Sequence, residues 1–330
     1  MKFNKSLFFF SVLIAFIGWK CSEAEEKPVL EKGLLSGVEV PFPADNPITA
    51  AKIAFGKKLF FDKRLSRNNE LSCASCHQPD KAFTDGLPKS RGVNGETAMR
   101  NAPSILNSSY FKRYMFDGEV KTLEEQVLVP IQDHLEMGSS MKEVLEKLSK
   151  DPEYKRLARS VFQRELDAYV ITRAISTYER SLISRNSRFD RFRKGDKHAL
   201  TADEQAGRIL FSEKLYCTKC HSGPDFTNYS VVSNGLYTDY GADPGRFRIN
   251  GLEKERGTFK VPGLRNVTLT APYMHDGSIR TLKEVIMHYS KGGAHFPNKS
   301  PAIKPFRLNS LEINQLEMFF RTLIDTSTVK

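Results

Sequence analysis

The 330-residue sequence predicts a mainly α-helical protein made of two similar domains in tandem. Two observations support this prediction: apolar residues recur at helical spacing, and one set of motifs occurs twice in the same order. The chain is long enough for two domains, each with its own buried core. With 40% hydrophobic and 27% charged residues, the composition excludes a disordered chain and a multi-span membrane protein.

The repeat has a period of about 150 residues, which is the size of a domain rather than of a solenoid unit. GKKLFFDK at residues 56–63 matches GRILFSEK at residues 207–214, and each segment precedes a CxxCH motif. Farther along, YMFDGEVKTLEE at 114–125 matches YMHDGSIRTLKE at 273–284. We place the domain boundary in the charged segment 183–197, which predicts domains at residues 46–190 and 191–330.

Helical periodicity is clearest just before that boundary and at the C-terminal end of the chain. The apolar positions of the first segment are Leu166, Val170, Ile171, Ala174, Ile175, Tyr178 and Leu182. Those of the last segment are Leu311, Leu316, Phe319, Phe320, Leu323 and Ile324. Thr201 and Glu204 form a capping box that predicts a helix start before the second CxxCH motif. Stretches rich in Gly, Pro and Asn near 86–103 and 222–263 predict long loops.

The N-terminus has the pattern of a secretory signal peptide over residues 1–21. Lys2 and Lys5 precede an apolar run at 7–19, which is short for a membrane span. Cys21 follows directly, so two alternatives stay open: cleavage before a lipidated Cys21, or ordinary export with cleavage a few residues later. The polar, Pro-containing residues 22–45 are predicted to form a tether. The net charge of +11 is dispersed without a long basic run, which argues against nucleic-acid binding.

Four of the five cysteines lie in two CxxCH motifs, and these carry the strongest chemical signal. The motifs comprise Cys73, Cys76 and His77, and Cys217, Cys220 and His221. Residues i and i+3 of a helical turn share one face, so both thiols can reach the two vinyl groups of one haem. The following His then lies under the iron as its proximal ligand. We therefore predict two cytochrome c-like domains, each wrapped around one covalent haem.

A zinc site and a redox dithiol are the alternatives to covalent haem. A Cys₄ zinc ribbon places its two pairs about 15–20 residues apart, and here the pairs are separated by a whole domain. A redox CxxC motif requires no following His, whereas both motifs here have one. Both alternatives are therefore disfavoured.

Further motifs resemble those of the bacterial di-haem cytochrome c peroxidases, a family that includes the protein oxidase MauG. They are RNAPSILN at 100–107, FDG at 116–118, LEEQ at 123–126, EMG at 136–138 and PYMHDG at 272–277. The resemblance covers residues 42–325 and implies a periplasmic enzyme that reduces H₂O₂. It further implies that the N-terminal haem is the peroxide site, that the C-terminal haem relays electrons, and that a small c-type cytochrome or copper protein donates them. The oligomeric state stays open, a homodimer being one alternative.

The resemblance assigns Gln126 and Glu136, ten residues apart, as the distal amide and the catalytic carboxylate. Peroxide cleavage needs a base that takes a proton from one oxygen and returns it to the leaving oxygen, and a carboxylate over the iron can do both. Taken alone, Glu136 would read as a solvated loop carboxylate and Gln126 as a surface helix residue.

Two positions depart from the family pattern. Many of these peroxidases have a loop His that ligates the resting peroxidatic iron, but SRGVNGETAM at 90–99 contains none. We therefore expect a peroxidatic iron that needs no reductive activation. The family usually has Trp before the DG pair, where this chain has Phe116. Electron transfer between the haems would then be direct, or Tyr114 would substitute.

The sixth ligand of the C-terminal iron is implied by family spacing. In the peroxidases it is a Met fourteen residues after the His of the HDG motif; counting from His275 reaches Tyr289, which corresponds to the Tyr ligand of MauG. A phenolate favours Fe(III), whereas a thioether raises the potential. Met274, Met287 and His288 are the alternatives. His275 is expected to be a hydrogen-bonded pocket residue. His134, His198 and His295 are expected at the surface.

The resemblance also implies a calcium ion at the domain junction, held by the Asn101 side chain and the carbonyl oxygens of Thr270 and Pro272. Oxygen ligands suit this hard cation.

Three functions remain: a peroxidase, a MauG-like oxidase of a protein substrate, and a non-catalytic di-haem electron carrier. Tyr289 and the loop without His favour the oxidase, Phe116 disfavours it, and Glu136 with Gln126 argues against a carrier.

Overall fold

The computed structural model describes Met1 and residues 39–327. The proposed signal peptide, Cys21 and most of the proposed tether lie outside the described residues. The structure is mainly helical. Its helices are α1 (Ala50–Phe60), α2 (Cys73–Cys76), α3 (Leu123–Gln132), α4 (Met141–Leu148), α5 (Pro152–Phe162), α6 (Ala168–Arg180), α7 (Arg188–Arg193), α8 (Ala202–Ile209), α9 (Phe247–Asn250), α10 (Leu282–Ser290) and α11 (Ser310–Arg321). Two short antiparallel strands pair Val231 with Lys260 and Val232 with Phe259: β1 (Val231–Val232) and β2 (Phe259–Lys260).

The loops between these elements contain short 3₁₀ turns at Lys63–Leu65, Pro79–Lys81, Val93–Gly95, Ser108–Tyr110, Cys217–Lys219, Glu253–Glu255 and Val267–Leu269. A π-helical turn, Leu210–Lys214, follows α8. Across residues 39–327, no helix is both long and apolar enough to cross a membrane.

Two apolar cores organise the chain, one in each half. The N-terminal core lies among α1, α3, α4, α5 and α6, and includes Phe60, Val127 and Tyr178. The C-terminal core includes Phe211 and Phe319 and lies among α7, α8, α10 and α11. The predicted boundary at 190/191 falls inside α7, and the domain limits stay a prediction.

The same close helix contact occurs in both halves. A Cβ atom on Gly56 of α1 would lie 1.9 Å from the Ala174 carbonyl oxygen of α6. A Cβ atom on Gly207 of α8 would lie 1.9 Å from the Gln315 carbonyl oxygen of α11. Only glycine permits such an approach of two helices. These glycines begin the two repeated GxxLF segments, so the sequence repeat corresponds to a repeat in packing.

Capping follows the repeat as well. Thr122 and Glu125 form a capping box at α3, and Thr281 and Glu284 form the matching box at α10. The box predicted for Thr201 and Glu204 is confirmed at α8.

Leu311 belongs to the apolar period of the last helix but does not lie on its buried face. Its side chain is 58% exposed, because it lies in the first turn of α11, beyond the edge of the core, which begins with Leu316 and Phe319. Upstream, Val40 of the proposed tether is only 4% exposed and packs with Ile48.

Candidate functional site

The first CxxCH motif is one turn of helix, α2, held at its start by serines. Ser72 donates its backbone N–H to Ser75 Oγ at 3.0 Å, which fixes the N-terminus of the turn. Cys73 packs against the N-terminal core. His77 follows as the C-cap, with its Nδ1 3.0 Å from the Phe83 carbonyl oxygen. An Nδ1–H donated to that carbonyl leaves Nε2 as the atom that can bind a metal.

The second motif repeats this arrangement on a 3₁₀ turn. His221 donates its backbone N–H to the Cys217 carbonyl at 2.8 Å, and its Nδ1 lies 3.0 Å from the Phe226 carbonyl oxygen. Burial lowers the pKa of both His77 and His221, which favours the neutral imidazole required of a metal ligand. Each half therefore presents one oriented ring nitrogen beside a pair of cysteines.

The four cysteines of the CxxCH motifs form no disulfide in the described part of the chain. Burial raises the pKa of Cys217 to about 11 and also raises that of Cys73 and Cys220. A reactive dithiol would need a lowered pKa. Within residues 39–327, no group of three or more His, Cys, Asp or Glu side chains is placed to hold a metal ion, which argues against zinc. Two thiols and one imidazole on a single turn fit a covalent haem in each half.

Glu136 lies in the turn after α3, close to the first motif. Burial raises its pKa to about 7, the charge of Asp133 adds to the rise, and that of Arg100 opposes it. Burial likewise raises the pKa of the Cys76 thiol to about 11; a hydrogen bond with Ser90 opposes the rise, and the charge of Glu136 contributes to it. The structure therefore brings Glu136 near Cys76. Its carboxylate accepts no hydrogen bond from the described residues.

Gln126 is half-buried on α3, one turn before Pro130. Its side-chain amide forms no hydrogen bond within the described part of the chain. Its role as the distal amide stays a prediction.

The loop at 90–99 packs directly on the Glu136 turn. Val93 donates its backbone N–H to the Glu136 carbonyl at 2.8 Å, and Gly92 donates to Glu96 at 2.8 Å. A Cβ atom on Gly92 would lie 1.9 Å from the Leu135 carbonyl oxygen, so this approach requires glycine. Sequence reasoning missed Gly92 and Ser90, because a single loop glycine or serine carries no signal without its partner.

Tyr289 on α10 lies beside the second motif. Burial raises its pKa, a hydrogen bond with the Asn234 side chain opposes the rise, and the charges of Cys220 and Cys217 contribute to it. The Asn234 amide also donates to Met274 Sδ at 3.3 Å. Asn234, which sequence reasoning missed, therefore contacts both proposed ligands of the second iron.

The other two alternatives are less well placed. Met287 is 39% exposed, and His288 Nε2 lies 3.2 Å from the Asn234 carbonyl oxygen.

His275 is buried, but the expected hydrogen bond of its side chain is not seen among the described residues. It is 7% exposed, and its ring stacks on Phe259 with centroids 3.9 Å apart. Its Nε2 lies 3.9 Å from Asp243 Oδ2. Phe259 also forms a cluster with Tyr240 and Phe296, and Phe116 packs against this cluster. The other three histidines expected at the surface are exposed: His134, His198 and His295.

Asn101 is held against the segment that carries the other two proposed calcium ligands. Its backbone N–H donates to the His275 carbonyl at 2.8 Å, and its Nδ2 donates to the Leu87 carbonyl at 2.7 Å. Its Oδ1 and the carbonyl oxygens of Thr270 and Pro272 accept no hydrogen bond from the described residues. Free oxygens of this kind suit a hard cation.

Comparisons with known proteins agree with this site. The family model described as di-haem cytochrome c peroxidase matches residues 50–198. The methylamine utilization protein MauG of Methylorubrum extorquens is 39% identical over 286 residues, covering 86% of this chain and 81% of that protein. The cytochrome c551 peroxidase of Nitrosomonas europaea is 38% identical over 251 residues, covering 74% of this chain and 75% of that protein.

A solved structure supports the same assignment across the whole fold. The crystal structure of a MauG-like protein associated with microbial copper homeostasis superimposes with a TM-score of 0.83 at 35% identity, covering 89% of this chain and 95% of the other. The diheme peroxidase BthA from Burkholderia thailandensis shares the fold, with a TM-score of 0.73 at 23% identity. The two CxxCH motifs, the oriented imidazoles and these relatives together show that the chain belongs to the di-haem cytochrome c peroxidase family, whose cofactors are haem c.

Proposed function

We propose that the protein is a cytochrome c peroxidase that reduces H₂O₂ to water at the N-terminal haem. The supporting observation is Glu136, a half-buried carboxyl group near the first CxxCH motif whose pKa is about 7. A general base works best when its pKa lies near the operating pH, because both protonation states are then accessible. The reaction consumes one H₂O₂, two electrons and two protons and yields two waters. A small c-type cytochrome or copper protein supplies the electrons.

The residues of the N-terminal half have separate roles in this proposed reaction. Cys73 and Cys76 would hold the haem covalently, and His77 would bind its iron through Nε2. When bound, the haem would supply the redox-active iron needed for peroxide reduction. Glu136 takes the proton from one peroxide oxygen and returns it to the other, which leaves as water. Gln126 orients the peroxide through its amide.

In the C-terminal half, Cys217 and Cys220 would hold the second haem, and His221 would bind its iron. When bound, this haem would supply a redox centre that can store and relay electrons. Tyr289 is the proposed sixth ligand, with Met274 as the alternative, since Asn234 contacts both side chains. A calcium ion held by Asn101 Oδ1 and two carbonyl oxygens would join the 86–101 loop to the 270–277 segment.

We also propose that the chain is exported to the periplasm through residues 1–21, either soluble or anchored through a lipidated Cys21. Its domains are residues 46–190 and 191–330, with 22–45 as a tether.

A second function has specific support. Tyr289 lies beside Cys217 and Cys220, and the 90–99 loop carries no His, both of which favour a MauG-like oxidase of a protein substrate. Phe116 argues against it, because a phenyl ring is far harder to oxidise than an indole. A non-catalytic electron carrier would need no carboxyl group with a raised pKa, such as Glu136, near its CxxCH motif.

Steady-state H₂O₂ consumption with a reduced donor cytochrome separates these functions. A peroxidase oxidises two donor molecules for each peroxide consumed. An oxidase of a protein substrate would consume peroxide only with that protein present and leave the donor cytochrome reduced. A carrier would exchange electrons with the donor and consume no peroxide. Either of the last two results would overturn the peroxidase proposal.

A further inference from the structure

The internal repeat shows where the two halves differ at one buried position. Tyr178 Cβ of α6 lies against Gly56, and Phe319 Cβ of α11 lies against Gly207, at 2.9 Å from the ideal Cβ atom of each glycine. These contacts align the two helices residue by residue. The next position is Glu179 in the N-terminal half and Phe320 in the C-terminal half.

Phe320 behaves as an ordinary core residue. It is 9% exposed, and its ring packs edge-on against Phe211 with centroids 5.8 Å apart. Glu179 is even more buried, at 4% exposure, yet it carries a carboxyl group. Burying such a group without a partner costs free energy, so structure alone does not account for a carboxyl group here.

The carboxyl group of Glu179 has no hydrogen-bond partner among the described residues. Its Oε2 is fully buried and unpaired. The nearest cation, Arg180, is already committed: its Nη1 and Nη2 bind the two oxygens of Glu124 on α3 at 2.6 and 2.8 Å. The carboxyl group therefore has a free oxygen inside the protein and no cation to neutralise it.

Glu179 directly follows Tyr178, a member of the N-terminal core against which Cys73 of the first CxxCH motif packs. Burial raises the pKa of the Cys73 thiol, and the charge of Glu179 is the next largest cause. The other titratable groups near Glu179 are the ion-paired Glu124 and Arg180 and the phenols of Tyr114 and Tyr178, whose pKa values burial raises. These phenols stay neutral below about pH 10, and Cys73 as a thioether would not titrate.

We propose that Glu179 is the proton-holding group of the N-terminal haem pocket, and that it takes up a proton when that haem is reduced and releases it on oxidation. The electron enters the iron from a donor, and the proton passes from water to Glu179 Oε2. This inference rests on family membership and does not depend on which reaction the enzyme catalyses.

The physical basis is charge balance in a poorly solvated site. Burial raises the pKa of Glu179 to about 8, with Arg180 opposing and Glu124 adding to the rise. Reduction makes the haem less positive by one charge, which raises that pKa further. Glu179 therefore has a lower pKa in the oxidised protein than in the reduced protein. At pH values between these two pKa values, reduction binds one proton per electron, so the haem potential falls as the pH rises. The C-terminal haem has Phe320 at the equivalent position and lacks this group.

The test is a spectroelectrochemical titration of the holoprotein between pH 6 and 10. In the wild type, one of the two haem potentials should fall with rising pH by up to one proton per electron. Glu179→Gln keeps the shape of the side chain and is neutral at every pH, like the protonated acid. In this variant, the potential of the pH-dependent haem should match the wild type near pH 6 and exceed it near pH 10. The potential of the other haem should not change. Glu165→Gln, which removes an exposed carboxylate from the same half, should change neither potential.

A measurement on protein with Glu179 intact protects the test against misfolding of the Gln variant. The spectra are recorded on the Glu136→Gln variant, so that the carboxyl group of Glu136 contributes no band. Its redox-difference infrared spectra should show a protonated carboxyl band that appears on reduction and shifts in D₂O. Loss of the band in the Glu136→Gln/Glu179→Gln double variant would assign it. Identical pH slopes in wild type and Glu179→Gln, or no such band at pH 8, would overturn the proposal.

Discussion

Arg100 Nε lies 2.7 Å from Asp243 Oδ2, and this ion pair joins the two halves of the chain. The same guanidinium binds Asp117, whose side chain is 0% exposed, through Nη1 at 2.7 Å. Arg248 also binds Asp117 Oδ2 at 2.7 Å. The charge of Arg100 also opposes the rise in the pKa of Glu136. Arg100 therefore connects the domain junction with the proposed catalytic carboxyl group.

Replacement of Arg100 by Leu should therefore destabilise the protein strongly. Asp117 would keep Arg248, but the largely buried Asp243 would lose its arginine. Removing one member of a buried ion pair costs about 3–5 kcal/mol. Denaturant unfolding of the holoprotein measures this loss. Arg159→Leu is the matched control, because Arg159 and Glu165 form an exposed pair worth about 1 kcal/mol or less. Equal losses in the two variants would show that the Arg100 network contributes no more than a surface pair.

The exported protein should carry two covalent haems. Intact mass spectrometry of denatured protein, expressed with the haem-attachment machinery, should show both. Cys73→Ala/Cys76→Ala and Cys217→Ala/Cys220→Ala should each retain one haem, because the motifs lie on separate turns in separate cores. A wild-type mass with one haem or none would contradict the di-haem assignment for this chain.

Glu136→Gln should lower the peroxidase rate about 10²–10⁴-fold, the usual contribution of a positioned acid–base group. Both haem spectra should be retained, since the carboxylate makes no hydrogen bond with the described residues. The exposed carboxylate of Glu165 provides the control: Glu165→Gln should react at the wild-type rate. Unchanged turnover in Glu136→Gln would remove this residue from the mechanism.

The same residue predicts the pH dependence. A base must be deprotonated in the free enzyme, and the pKa of Glu136 is about 7. We expect kcat/KM for H₂O₂ to rise with pH, up to tenfold per unit, and to level off above about pH 7. Glu136→Gln should lack this rise. Arg100→Leu, where folded, should move the midpoint to higher pH, because a cation that favours the carboxylate is gone.

The fully oxidised enzyme should react with H₂O₂ without prior reduction. The 90–99 loop, which is held against the Glu136 turn through Val93, offers no His to ligate the iron. Stopped-flow mixing of oxidised enzyme with peroxide should give the same rate constant with and without one-electron prereduction. Reaction that begins only after prereduction would contradict an open iron.

Tyr289→Phe should change the ferric spectrum of one haem and raise its potential. The variant removes the phenol oxygen but keeps the ring in its place on α10, and an anionic oxygen stabilises Fe(III) relative to a thioether. Met287→Leu on the same helix is the control, since Met287 is exposed. If Tyr289→Phe leaves spectrum and potential unchanged, Tyr289 only packs, and Met274→Leu becomes the next variant to measure.

Some features followed from local sequence, and the structure confirms them. The repeated GxxLF segments form helices that approach a partner helix at Gly56 and Gly207, and the Thr201–Glu204 box starts α8. Periodicity was less reliable at the helix end, where Leu311 is exposed. The spacing of apolar residues shows which face of a helix packs inward, but it does not show where along the helix the core ends.

The sequence by itself determined the haem-attachment motifs, the duplication and the mainly helical fold, because each depends on spacing within one turn or one helix. Only the tertiary structure decided the charge state of Glu136, the contacts of Asn234 with Tyr289 and Met274, and the unpaired burial of Glu179. These properties arise where segments distant in sequence exclude water and bring charges together, and a pKa depends on that surrounding rather than on the residue type.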